Sequence, residues 1–116
     1  MHELSVCLSL MQQVEGIARE HSARKVTHIT LRIGPLSGVE PELLRHSYPL
    51  ATANTIAENA ELTIEIADLV VRCSQCSSET TVAPNKLLRG SCGDFRTQVI
   101  SGDELTLLRV EMEQPT

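Results

Sequence analysis

The sequence predicts an α+β fold, in which a three-stranded sheet with two helices is interrupted by a small zinc-ribbon-like insert. Three observations predict it. One long segment has the apolar spacing of a helix, three segments alternate between apolar and polar residues, and a polar stretch holds most of the cysteines. We expect residues 1–69 and 103–116 to form one domain and residues 70–102 to form the insert.

The N-terminal segment has the pattern of an amphipathic helix. Its apolar residues recur three and four positions apart, which places them on one side of a helix; they are Leu4, Leu8, Met11, Val14, Ile17 and Ala18. The pattern ends at His21 and Ser22. Because this helix starts almost at the beginning of the chain, the first residues lie beside its positive end.

The remaining elements of the first domain are predicted from changes in the spacing of apolar residues along the chain. The period changes from Val26, and the alternation of apolar and polar residues over 28–33 predicts a half-buried strand, which Gly34 and Pro35 end. Residues 42–50 have a short helical pattern, which we expect Pro49 to break. Two further alternating runs, 61–66 and 108–113, predict the second and third strands.

The insert is polar and has few large apolar side chains, although it contains three of the four cysteines. Such a segment buries too little surface to fold unaided, and a bound metal would supply the missing stability. The residues on either side of Cys73 and Cys76 resemble the strands of a short hairpin.

Composition excludes several classes of function. The formal charge of −5 and the presence of only two aromatic residues argue against a nucleic-acid partner. No stretch of about 18 apolar residues is present, so we expect no membrane span. The acidic start does not resemble a signal peptide, so we expect a cytoplasmic protein, in which clustered cysteines indicate a metal before disulfides.

The cysteines of the insert predict an incomplete zinc site. Cys73 and Cys76 form a C-x-x-C pair, which is half of a structural zinc site. A second pair is expected about 15 to 20 residues later, but only Cys92 is present, and Arg89 stands at the expected position of the fourth cysteine. Zinc would then be held by three thiolates and a non-cysteine ligand or water, and Asp94 is the nearest oxygen donor.

Two other interpretations of these cysteines stay open. The site could have lost its affinity for zinc, or the C-x-x-C pair could be redox-active, although redox pairs usually lie between a strand and a helix. Cys7 lies in the first helix beside Leu8, which is typical of a small buried core residue.

The first three residues form a second candidate metal site. The amine of Met1 and the amide nitrogen and imidazole of His2 can chelate one ion, and the amide or carboxylate of Glu3 can complete four donors. Square-planar nitrogen and oxygen ligands select Cu(II) or Ni(II). The simpler interpretation is that these three residues are an ordinary start of a chain and have no metal-binding role. The other three histidines are expected at surface or partly buried positions, and no catalytic arrangement stands out.

Several motifs occur together in a specific order: MHELS at 1–5, IGPLSGVE at 33–40, AENAEL at 57–62, the cysteine insert, and GDEL at 102–105. With these motifs the sequence resembles the HypA/HybF family of hydrogenase nickel-incorporation proteins over essentially its whole length. The resemblance implies a nickel metallochaperone, not an enzyme, with a nickel-binding domain and a zinc-binding insert.

The resemblance also implies site residues. Ni(II), the transferred metal, is bound at Met1, His2 and Glu3, and Glu40 occupies the position of an acidic residue that is sometimes added. A structural Zn(II) is bound by two C-x-x-C pairs, to which Cys73, Cys76 and Cys92 correspond in this chain, while Arg89 replaces the fourth thiolate.

The implied partners are a GTPase of the same maturation pathway and the large subunit of a [NiFe]-hydrogenase. A homodimer is compatible with the sequence, which determines neither the oligomeric state nor whether urease nickel is also handled. A structural zinc-ribbon adaptor without a metal-transfer role is the second hypothesis. A thiol oxidoreductase built on Cys73 and Cys76 is the third.

Overall fold

The computed structural model describes residues 2–73, 79–81 and 97–114. Two helices and six strands follow in the order α1 (His2–Glu20), β1 (Lys25–Ile33), α2 (Pro41–Thr52), β2 (Glu61–Ile66), β3 (Val70–Cys73), β4 (Glu79–Thr81), β5 (Thr97–Ser101) and β6 (Leu105–Glu113). The strands form two three-stranded sheets, with the orders β2-β1-β6 and β4-β3-β5. The predicted α+β class is confirmed.

Strand β1 is the central strand of the first sheet. The amide of Arg24 donates to the carbonyl of Glu113, and the amide of Gly34 donates to the carbonyl of Glu104, both at 2.8 Å. The start of β1 therefore lies beside the end of β6, so these two strands are antiparallel.

Strand β2 lies on the other side of β1 and runs in the same direction. The imidazole of His28 contacts the hydroxyl of Thr63, and five residues further along β1 the carbonyl of Ile33 accepts from the amide of Ala67. Helix α2 is accordingly the crossover between two parallel strands, which is the usual role of a helix in such a unit.

The core of the first sheet is aliphatic, as the scarcity of aromatic residues requires. On β1 the most buried side chains are each at most 1% exposed; they are Val26, Ile29, Leu31 and Ile33. Burying each such side chain contributes about 1.5–3 kcal/mol relative to leaving it exposed. The hydroxyl of Tyr48, which is also buried, donates to the carbonyl of Ala60 at 3.1 Å.

The buried stripe of α1 differs from the predicted one. Its members are Glu3, Cys7, Leu10, Met11, Val14 and Ala18. Leu8, which the spacing places inside the stripe, is 49% exposed. The reason is geometric: Leu8 follows Cys7 by one residue, which turns it about 100° away from the buried direction on a helix with about 3.6 residues per turn.

Helix α2 does not break at Pro49, so that expectation was wrong. The helix continues to Thr52, and the carbonyl of Pro49 accepts from the amide of Ala53 at 3.2 Å. Proline removes one hydrogen-bond donor from the helix. Burial of Ala51 and Thr52 in the last turn, together with a 3.0 Å bond from the Thr52 hydroxyl to the carbonyl of Tyr48, offsets that loss.

The second sheet contains the predicted hairpin. Strands β3 and β4 are antiparallel, with Arg72 opposite Glu79, and β3 pairs with β5 on its other side. The chain divides into two compact units, within each of which the residues mainly contact one another. One unit comprises residues 1–31, 39–65 and 106–116, and the other comprises residues 32–38 and 66–105. The expected limits of the insert, 70–102, stay a prediction.

Neither described helix combines the length and the apolar character that crossing a membrane requires.

Candidate metal centre

The two helices place their N-terminal ends side by side. The carboxylate of Glu3 accepts from the amide of Glu40 at 3.2 Å, and the thiol of Cys7 donates to the carbonyl of Leu44 at 3.7 Å. Both contacts join residues 37 positions apart in the chain. Because this separation is constant while both helices advance by one turn, α1 and α2 run parallel.

This arrangement concentrates positive potential at one end of the helix pair. Each helix N-terminus carries roughly half a positive charge, and acidic groups are stabilised beside it. Three carboxylates belong to this end. Glu3 and Glu42 lie in the first turns of α1 and α2, and Glu40 is the residue that precedes α2.

Glu3 is a buried carboxylate, only 9% exposed. The amide that it accepts from belongs to Glu40, the N-cap residue of α2. A bond between an ionised carboxylate and a backbone amide is stronger than one between neutral groups. The contact therefore fixes the start of α1 against the start of α2.

Glu40 has a different environment from Glu3. Its backbone is extended (φ −88°, ψ 115°), it is exposed, and its side chain makes no capping hydrogen bond to α2. The carboxylate of Glu40 is consequently not engaged in capping the helix that it precedes.

Behind these carboxylates lies a buried thiol. Cys7 is 1% exposed, and burial, with a smaller effect from the charge of Glu3, raises the pKa of its thiol to about 11. Only the thiolate is a good metal ligand, so Cys7 is a protonated core residue at neutral pH. This confirms the expectation that it packs in the core.

The remaining predicted site residues are described only in part. Five of them lie outside the described residues: Met1, Cys76, Arg89, Cys92 and Asp94. The backbone of His2 begins α1 and that of Cys73 ends β3. Of the predicted nickel site, the structure thus brings together Glu3 and Glu40.

Cys73 is the only predicted zinc ligand within the part of the chain that the structure describes. It ends β3 where residues 74–78 connect this strand to β4. Next to it, the guanidinium of Arg72 and the carboxylate of Glu79 form an ion pair at 2.6 Å across the hairpin.

Among the residues that the structure describes, no group of three or more His, Cys, Asp or Glu side chains is arranged to hold a metal ion. The other three histidines have no such role there. His21 and His46 are exposed, and His28 is half-buried between Thr63 (2.6 Å) and Glu111 (3.2 Å). This agrees with their expected surface or partly buried positions.

Sequence reasoning missed the structural role of Glu3. Helical spacing contained the signal, because Glu3 stands four residues before the buried Cys7 and so continues the stripe of α1. An acid in an apolar stripe indicates a buried carboxylate with a partner. The partner itself, 37 residues away, left no local signal.

Comparison with known proteins places this fold and these motifs in one family. A family model described as "Hydrogenase/urease nickel incorporation, metallochaperone, hypA" matches residues 1–112. The chain belongs to the HypA family. The resemblance based on the MHELS, IGPLSGVE and GDEL motifs is thereby confirmed, and the protein is a nickel-incorporation metallochaperone and not an enzyme.

Curated HypA relatives match almost end to end. The chain is 50% identical over 112 residues to the hydrogenase maturation factor HypA of Nitrosospira multiformis, with 97% of each chain covered. It is 41% identical over 113 residues to that of Aquifex aeolicus, with 97% of this chain and 98% of the relative covered.

Solved HypA structures have the same fold. The solution structure of the Ni metallochaperone HypA from Helicobacter pylori matches with a TM-score of 0.72 at 23% identity, covering 97% of this chain and 98% of that one. A second HypA solution structure matches with a TM-score of 0.74 at 25% identity, covering 97% and 96%.

Proposed function

We propose that this HypA protein binds Ni(II) at its N-terminus and delivers it during maturation of [NiFe]-hydrogenase. The ligands are the amine of Met1, the amide nitrogen and imidazole of His2, and Glu3, with the carboxylate of Glu40 as an additional donor. The observation that carries the proposal is the 3.2 Å contact between Glu3 and the amide of Glu40, at the common end of two parallel helices.

The electrostatics of this end favour a bound divalent cation. The carboxylates of Glu3 and Glu40 offset the charge of the incoming metal and outweigh the roughly half positive charge that each of the two helix N-termini carries. Amine and imidazole must be neutral to coordinate an ion. Free amines titrate near roughly 7.7 and imidazoles near roughly 6.5, so binding should weaken as the pH falls.

Glu3 contributes its backbone amide nitrogen to the metal, and this nitrogen, like that of His2, releases its proton to solvent when the ion binds. Its carboxylate already accepts from Glu40, whereas amides in the first turn of a helix have no acceptor within that helix. The side chain of Glu3 therefore holds the terminus in place, and consecutive nitrogen donors of residues 1, 2 and 3 form fused chelate rings.

A chelate at the start of the chain suits transfer better than storage. Its donors can be released one at a time, so that the ion passes by ligand exchange into a tighter client site. The partners are a GTPase of the same pathway and the large subunit of the hydrogenase, and the protein acts in the cytoplasm. The acidic chain, with a net charge of −5, is compatible with protein partners.

The insert holds a structural Zn(II) through Cys73, Cys76 and Cys92, with a fourth donor other than cysteine, such as Asp94. Three thiolates are a suitable donor set for zinc, and the hairpin position of Cys73 supports its place in that set. Zinc would stabilise a segment whose composition cannot build an aliphatic core of its own.

Titration with Ni(II) tests the nickel proposal. The wild type should bind one ion per chain, and His2→Ala should lose that site because it removes the imidazole. His21→Ala is a matched control, since His21 is an exposed histidine just past the opposite end of α1. Adding residues before Met1 should also weaken binding, because it converts the amine into an amide.

Equal nickel binding by the wild type and His2→Ala would refute the N-terminal site. If zinc removal then abolished partner binding while His2→Ala changed nothing, the zinc-ribbon adaptor hypothesis would replace it. Alkylation of Cys73 and Cys76 as fast as that of a low-pKa thiolate would instead indicate the thiol oxidoreductase.

A further inference from the structure

Three polar side chains that are far apart in the chain meet on the sheet β2-β1-β6. On the central strand β1, the Nε2 atom of His28 lies 2.6 Å from the hydroxyl of Thr63 on β2. The other ring nitrogen, Nδ1, lies 3.2 Å from the carboxylate of Glu111 on β6. A hydroxyl, an imidazole and a carboxylate in this order are the arrangement in which a base activates a nucleophile and an acid orients the base.

The carboxylate fixes the direction of both hydrogen bonds. An ionised carboxylate can only accept, so the proton of the neutral imidazole lies on Nδ1, which donates to Glu111. The Nε2 atom of His28 then has a free lone pair and accepts, and the hydroxyl of Thr63 is the donor. The hydroxyl proton therefore points at a base that is already oriented to take it.

We propose that Thr63 is a modification site: His28 and Glu111 activate its hydroxyl, which accepts acyl groups from aryl esters and other compounds with a good leaving group. The Oγ atom of Thr63 attacks the carbonyl carbon of the ester, and its proton passes to Nε2 of His28. The bond between that carbon and the leaving oxygen breaks, and the leaving group takes the proton from His28. The products are an acyl ester on Thr63 and a free phenol, and the imidazole is neutral again.

The three side chains are accessible to a reagent. Thr63 is an exposed residue, and the side chains of His28 and Glu111 are 27% and 49% exposed. Strand β2 is an outer strand of its sheet, and no strand in the described part of the chain pairs with its far side. An ester can therefore reach the hydroxyl from solvent while the fold stays closed.

The edge of β2 also offers a backbone donor to the oxyanion that develops during the attack. The amide of Ala67 donates toward β1, whereas the carbonyl of Leu62 accepts from the side chain of Arg45. Successive residues of a strand direct their backbone groups to opposite sides, and both contacts then place the amide of Ile64 on the outer side. This amide directly follows Thr63, and the amide after a nucleophile is a common oxyanion donor.

Treatment of the full chain with p-nitrophenyl acetate, followed by mass spectrometry of its peptides, tests the proposal. Hydroxylamine cleaves an acetyl ester but not the acetyl amide of a lysine, so it identifies the modified hydroxyl. Thr27 is the internal control, because its hydroxyl donates to a backbone carbonyl at 3.1 Å and has no base as its partner. We expect Thr63 to be acetylated at least about tenfold faster than Thr27.

Substitutions separate the roles of the three residues. Thr63→Val should abolish the acetyl ester, whereas Thr63→Ser keeps the hydroxyl and should react at least as fast as the wild type. His28→Ala, which removes the base, should slow the reaction by about tenfold or more. Glu111→Gln should slow it to a similar extent, because an amide can donate to Nδ1 as well as accept from it. Glu113→Gln changes an exposed acid two residues further along β6 and should have no effect.

Glu111 acts through His28, so it is a positioning residue and its variant needs a second measurement. With the ring neutral, nitrogen NMR of His28 should show the proton on Nδ1 in the wild type and a mixture of both tautomers in Glu111→Gln. Circular dichroism must show that the variants are folded, and the nearly isosteric Glu111→Gln decides the case if His28→Ala is not. Acetylation of Thr63 no faster than that of Thr27, or an unchanged rate in Glu111→Gln, would overturn the proposal.

Discussion

The amide of Glu40 donates a hydrogen bond to the buried carboxylate of Glu3, so the residue that precedes α2 is joined to the third residue of the chain. This contact aligns the N-termini of two parallel helices. It also gives Glu3 a positioning role that can be separated from metal ligation by choosing substitutions that keep or remove the acceptor.

Glu3→Ala should lower the free energy of unfolding by about 1–2 kcal/mol, because it leaves the amide of Glu40 without this acceptor. Glu3→Gln keeps an amide oxygen in the same place and should recover part of the stability. Urea denaturation measures both. Glu42→Gln, an exposed acid in the first turn of α2, should change stability by less than about 0.5 kcal/mol.

The same two variants test which atom of Glu3 binds nickel. If its backbone amide is the donor, Glu3→Gln should keep most of the Ni(II) affinity, whereas Glu3→Ala should weaken it by loosening the terminus. Isothermal titration calorimetry measures the affinities. Loss of binding in Glu3→Gln equal to that in His2→Ala would show that the carboxylate itself is a ligand.

The buried thiol of Cys7 should make stability depend on alkaline pH. Its pKa is raised from 9.0 to about 11 in the folded protein, so the folded state retains a proton that the unfolded state loses. The stabilisation is therefore complete below pH 9 and is lost as the pH rises from 9 to 11. By pH 10.5 this amounts to about 2 kcal/mol.

Cys7→Ala isolates that contribution. The variant should be less stable near neutral pH because it loses packing, but the difference from the wild type should shrink by about 2 kcal/mol between pH 8 and pH 10.5. Denaturant titrations at the two pH values measure it. A constant difference would mean that the thiol titrates alike in the folded and unfolded chains.

Gly102 occupies a position that no other residue fits. Its φ is +111°, and a Cβ at this residue would lie 2.8 Å from the Cα of Leu69 and 3.0 Å from the carbonyl of Asp68. Gly102→Ala should therefore destabilise the protein by about 2 kcal/mol or more. In Gly16→Ala the new methyl lies within the helix at an ordinary contact distance, 3.9 Å, from the guanidinium of Arg19, and we expect a gain of about 0.5–1 kcal/mol. Thermal unfolding compares the two.

Arg89→Cys should raise the affinity for zinc by completing a set of four thiolates. Competition with a chromophoric chelator measures it, and Arg89→Ser controls for loss of the arginine alone. An unchanged affinity would show that a fourth ligand is already present, and Asp94→Ala would then identify whether that ligand is Asp94.

Local patterns were sufficient for most of the fold. Alternation located all three strands of the first sheet, although β6 begins at Leu105, three residues before the expected start. Helical spacing found α1 but misplaced its buried side, because Leu4 and Leu8 are as apolar as the residues that are buried. The expected break of α2 at Pro49 was wrong for a similar reason. The burial of Ala51 and Thr52 depends on tertiary packing, which a local rule about proline does not include.

The family and the class of function could be predicted from the order and spacing of the motifs, because these are properties of the chain alone. The donor atoms of both metal sites stay predictions. That the two helices run parallel and that Glu3 contacts Glu40 is known from the fold and not from any local pattern. The reason is that β1 must return along α1 before α2 can begin, so residues 37 positions apart become neighbours. That separation is set by packing, and no local periodicity encodes it.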